Sequence, residues 1–140
     1  MSPNHDPTAA LNEVLSEVID VVQDVKQAHR KVPETHALHR VIDRLLDQLR
    51  NWAGLLMDQD EALGVSPLGM MTSVAGRTPP NLWLSAPEDV EVRRILVEHL
   101  DRLGQHAAAA RAEQTDRASR AVLAAVQSGV SAYRQELSEL

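Results

Sequence analysis

The chain has 140 residues with 14 basic against 20 acidic side chains, a net charge of −6, 44% hydrophobic residues and no cysteine. A length of this order holds one hydrophobic core, so a single domain is expected over residues 1–140, with 1–6 as a tail before it. The lack of cysteine excludes disulfides, thiolate metal sites, iron–sulfur ligation and cysteine nucleophiles, so any metal must sit on His, Asp or Glu.

Leu11, Val14, Leu15, Val18, Val22 and Val25 recur at helical spacing, and Pro7 suits a first turn, which predicts a helix from about Pro7 to about Arg30. Pro33 forces a break. Beyond it Leu38, Val41, Ile42, Leu45, Leu46, Leu49, Trp52, Ala53, Leu56 and Leu63 keep the 3.6 period up to Gly64, a natural helix-ending residue, predicting a second helix over about Glu34 to Leu63. The stretch Val65 to Leu84 carries Pro67, Gly69, Gly76, Pro79 and Pro80 and reads as a long crossover, with one short helix near Pro67 to Val74. Ser85 and Glu88 form a capping-box pattern ahead of Val92, Ile95, Leu96, His99, Leu103 and Ala107, which predicts a third helix over about Ala86 to Glu113. A fourth follows Thr115, read as its N-cap, and runs through Ala118, Ala121, Val122, Ala125, Val126, Tyr133 and Leu137 to the end of the chain. The alanine-rich run at 106–113 predicts close helix packing. The expected fold is all-α: a four-helix bundle whose short connections make antiparallel pairs and whose crossover traverses the bundle.

No apolar run approaches the roughly 18 residues that cross a bilayer, and Met1 to Ala10 lack a basic segment followed by an apolar one, so a cytoplasmic protein without a membrane association is expected. The acidic balance opposes binding to phosphates, and with Trp52, Trp83 and Tyr133 as the aromatic residues there is no platform for stacking bases.

The second helix bears a polar stripe beside its apolar face: His39, Asp43, Asp47, Arg50, Gly54 and Asp58. Its plain reading is a solvated face. One chain cannot close a metal site along it, because His39 and Asp58 are separated by about 28 Å at the helical rise of about 1.5 Å per residue. Two chains could: if this helix packs antiparallel on its own copy across a two-fold near Arg50 and Asn51, Asp43 faces Asp58 of the partner, and Asp47 faces Gly54.

The runs QAH at 27–29, HALHRVID at 36–43, LGVSPLG at 63–69 and RTP at 77–79, in this joint spacing, resemble the Dps-type mini-ferritins, the DNA-protection-during-starvation family. The resemblance implies a ferritin-like four-helix bundle with a short helix in the crossover between helices 2 and 3, assembled from two-fold dimers into a hollow homo-dodecamer that binds, oxidises and stores iron at ferroxidase centres between subunits. Carried over by position, it makes His29, His39 and Asp43 ligands from one chain and Asp58 a ligand from the partner, while Gly54 stands where the family has an aspartate and Asp58 where it has a glutamate. The expected centre has therefore lost one carboxylate and shortened another. Further departures are Arg30 in place of an aromatic residue and a loop between His29 and His39 about two residues shorter than the family's.

The remaining set of two imidazoles and two carboxylates suits iron, with zinc as a surrogate. Asp47 of one chain could enter the space left at Gly54 of the other; alternatively, Gly54 simply permits close helix approach while Asp47 is solvated. His36 is expected to cap or be solvated and His99 to be a core histidine; no chemistry is assigned to either or to His106, and Glu113 and Asp116 are expected to form a solvated turn. The N-terminal ten residues are devoid of Lys and Arg, and twelve copies would carry about −72, which disfavours direct DNA binding. The other readings are a ferritin-like shell or scaffold without iron oxidation, and an unrelated helical adaptor.

Overall fold

The structure, a computed structural model, describes residues 6–65 and 89–140, and all four regular elements among them are α-helices. Helix α1 spans Pro7–Lys31. Asp6 caps it, accepting from the Thr8 N–H at 3.0 Å, and Pro7 fills the first helical position, where no N–H is required. Leu11, Val14, Leu15, Val18, Val21 and Val25 form its buried stripe, and His29, Arg30 and Lys31 place basic side chains in the last turn, where the helix dipole favours positive charge.

Helix α2 spans Ala37–Ala62, starting three residues later than the periodicity suggests. The cause is local: the His36 N–H donates to the Pro33 carbonyl at 3.0 Å, so residues 33–36 close a turn and His36, in extended backbone, becomes the N-cap without a side-chain cap bond. The helix ends as expected. Gly64 has φ +81, and the N–H groups of Leu63, Gly64 and Val65 return to carbonyls of residues 59–61.

Helix α3 spans Asp89–Glu113 and helix α4 Arg117–Ser138. The expected crossover helix at 67–74, the Ser85–Glu88 capping box and the first residues of the expected third helix lie outside the described residues. Asp116, not Thr115, is the N-cap of α4: its carboxylate accepts from the Ser119 N–H at 2.9 Å and from the Ser119 hydroxyl at 3.0 Å. Both residues can cap, and only Asp116 sits at the correct offset from Ser119. Asp116 is exposed, as the expected solvated turn has it, and Gln59 of α2, itself buried, donates to it at 3.0 Å and ties this turn to the bundle.

The main neighbours are α1 with α2, α3 with α4, α1 with α3 and α2 with α4. Paired residues fix their directions. His29 with Asp43 and Asn12 with Asp60 make α1 antiparallel to α2; Asp24 with His99 and Glu17 with His106 make α1 antiparallel to α3. Consequently α2 and α3 run the same way, and the end of α2 and the start of α3 lie at opposite ends of the bundle. Among the described residues the buried core is aliphatic around the ring of Trp52, with Ala107 and Ala110 buried in the alanine-rich part of α3. No described helix is long and apolar enough to cross a membrane.

Candidate metal centre

The last turn of α1 and the first two turns of α2 meet at one end of the bundle because only the 32–36 turn joins them. This juxtaposition brings together three of the residues singled out from sequence. His29 Nε2 donates to Asp43 Oδ1 at 2.5 Å, and His39 Nε2 lies 3.5 Å from Asp43 Oδ2, one helical turn away on α2. The two imidazoles face each other with ring centroids 4.3 Å apart. Among the described residues this is the group in which three His, Asp or Glu side chains each offer a donor atom within 4.8 Å of the others.

Burial is graded across the three. His39 is 9% exposed, held in place by the core beneath it, whereas the side chains of His29 and Asp43 are 34% and 53% exposed. His39 Nδ1 donates to the Val32 carbonyl at 3.0 Å, which leaves its Nε2 lone pair directed at the Asp43 side. Two imidazole nitrogens and a carboxylate, with open space on the outer side, form a donor set that suits a divalent first-row ion and leaves positions for further ligands. An ion binding His29 Nε2 would take the place of the proton this nitrogen donates to Asp43.

Asp58 and Asp47 are exposed and stand apart from this group within the chain, with Asp58 about 22 Å further along α2 than Asp43. At Gly54 a β-carbon would meet no atom within 4 Å, so the position is open in the single subunit. His36 is exposed at the start of α2, and His99 is the expected core histidine, 7% exposed.

Two acids of α1 did not stand out from sequence. Glu17 and Asp24 are 3% and 1% exposed, inside the apolar stripe, where each meets an imidazole of α3: His106 Nδ1 lies 2.6 Å from Glu17, and His99 Nε2 lies 3.7 Å from Asp24. A buried carboxylate needs such a partner. The available signal was their common spacing, since Glu17 and Asp24 are seven residues apart on one helix and His99 and His106 seven apart on the other.

A DNA protection during starvation protein of Agrobacterium fabrum (strain C58) is 33% identical to this chain over 95 residues, which cover 66% of the chain and 55% of that protein. The chain thus spans about half the length of the curated relative it matches. No family model matches the sequence, and no solved structure matches it.

Proposed function

We propose that this chain is a mini-ferritin-type subunit that binds Fe(II) at His29, His39 and Asp43, with Asp58 supplied by a partner subunit, within a homo-oligomeric shell built from two-fold dimers and working in the cytoplasm. The observation that carries the reading is the convergence of His29, His39 and Asp43 from two helices onto donor atoms within 4.8 Å, at the positions where the Dps resemblance expects ligands. The likeness to the Agrobacterium protein supports the mini-ferritin reading of the chain. Zinc would occupy the same donors as a surrogate.

Oxidation of Fe(II) by oxygen or peroxide is impaired in this reading. Gly54 offers no carboxylate, and Asp58 reaches one methylene less far than the glutamate the resemblance expects, while metal–oxygen bonds tolerate only about 0.2 Å of misplacement. The open space at Gly54 favours, as a second reading, a shell that binds iron without oxidising it. Protection of DNA by direct contact is not part of the proposal, because a subunit charge of −6 repels the duplex.

Anaerobic Fe(II) titration followed by oxygen addition, read by ultraviolet absorbance of ferric iron, tests these points. Binding that is lost in His29→Ala and His39→Ala supports the site, and binding unaffected by both substitutions sinks it. A higher oxidation rate in Gly54→Asp than in the unaltered protein identifies the missing ligand; equal rates favour the non-oxidising shell. Light scattering near twelve times the 15.4 kDa subunit mass supports the dodecamer, and a monomer refutes it.

A further inference from the structure

The triad depends on which nitrogen of His39 is free. A neutral imidazole carries one N–H and one lone pair, and the Val32 carbonyl, 3.0 Å from Nδ1, can only accept. The proton therefore resides on Nδ1 and the lone pair on Nε2, the atom nearer Asp43. Val32 is the C-cap of α1, with φ −103 and ψ 126, so its carbonyl has turned out of the helical direction and has no intrahelical partner. Its side chain is 4% exposed and anchored in the core. On the following side the turn is closed by His36 N–H to Pro33 O at 3.0 Å and His39 N–H to His36 O at 3.1 Å. The carbonyl is thus held between a core anchor and a hydrogen-bonded turn.

We propose that Val32 is the positioning residue of the metal centre: its carbonyl locks His39 in the Nδ1–H tautomer and aims Nε2 into the space shared with His29 and Asp43. The inference rests on the metal-binding reading above and adds to it a group that touches no ion. It makes the short 32–36 turn a determinant of affinity, since a metal-ligating imidazole whose other nitrogen loses its partner typically binds about 10- to 100-fold more weakly. It also gives His39 two separable tasks, one nitrogen satisfying the end of α1 and the other facing the ion.

Long-range nitrogen–proton NMR of the metal-free chain reads the tautomer directly: His39 as Nδ1–H is expected, and Nε2–H or an even mixture overturns the proposal. His39→Asn keeps a donor at the place of Nδ1 and lacks the second nitrogen. It should lose Co(II) binding while retaining more thermal stability than His39→Ala, and equal stability of the two variants counts against the contact. One glycine inserted between Val32 and Pro33 should weaken Co(II) binding about 10- to 100-fold and alter its visible ligand-field spectrum, whereas unchanged affinity and spectrum overturn the positioning role. An unaltered chain that binds neither Co(II) nor Fe(II) refutes the metal reading instead, and the tautomer of the metal-free chain still decides the role of Val32.

Discussion

Gly129 of α4 lies against the indole of Trp52 of α2 so closely that a β-carbon built on it would stand 2.3 Å from Cζ2. Helix propensity alone would make Gly129→Ala stabilising by about 1 kcal/mol. The buried Trp52 ring, 2% exposed, has little room to retreat, so the substitution is expected to destabilise by about 1–3 kcal/mol in urea unfolding. Gly54→Ala is the internal comparison: with no atom within 4 Å of its β-carbon, it should stabilise an isolated subunit by about 0.5–1 kcal/mol. Opposite signs at two helical glycines would establish packing as the cause.

Asp60 has none of its surface exposed, and burial pushes its carboxyl up from 3.8 to about 6. The Asn12 amide donates to it, 2.9 Å from Oδ1, and partly offsets the loss of hydration. Because the folded-state pKa lies above the unfolded one, the folded chain holds this proton more tightly. Stability from this group is present at low pH and declines as pH rises from about 4 through about 6. Asp60→Asn should therefore match the unaltered chain near pH 4 and exceed it by about 1–3 kcal/mol at pH 7.5. Thermal unfolding across that range checks it, and a constant difference at all pH values would contradict it.

Asp116 joins two helices through one carboxylate, accepting from Ser119 and from Gln59. Those bonds favour the ionised form, and the Ser119 backbone N–H first of all holds its carboxyl below the usual range. Asp116→Ala should lower the thermal unfolding midpoint, and Asp116→Ser, which still caps, should lower it less. Amide hydrogen exchange should localise the loss to the first turn of α4 and the last of α2.

If a partner subunit completes the centre as proposed, Asp58 separates the contributions of one chain and two. At a dilution where the chain is monomeric, Asp58→Ala should leave Co(II) affinity unchanged, since His29, His39 and Asp43 come from a single subunit. In the assembled state the same substitution should weaken binding about tenfold or more. Equal affinity in both states, with and without Asp58, would remove the partner from the ligand set.

The aliphatic period located all four helices, because an apolar stripe must face a core and its repeat is written in residue type. The start of α2 was less legible: Glu34, Thr35 and His36 carry no periodic signal, and the turn there depends on a backbone bond to Pro33. The choice between Thr115 and Asp116 turned on a one-residue offset that two competent caps leave open. His29, His39 and Asp43 could be read because imidazole and carboxylate at matched spacing are visible in sequence. The Val32 carbonyl could not, since every residue has one and only the fold selects which is presented. Glu17 and Asp24 were hidden for a different reason: acids within an apolar stripe look like solvated exceptions until the facing helix is known.

The two carboxylate–imidazole pairs between α1 and α3 have a consequence for the uniqueness of the bundle. Leu, Val and Ala side chains tolerate a slip of one helix past another, because one aliphatic contact replaces another at little cost. If α3 slid by a turn, Glu17 and Asp24 would be stranded among hydrocarbon while His99 and His106 moved away from them. Alignment along this greasy seam is thus dictated by two sparse polar checkpoints, and a shifted isomer is discouraged more by what it would strand than by what the correct one gains.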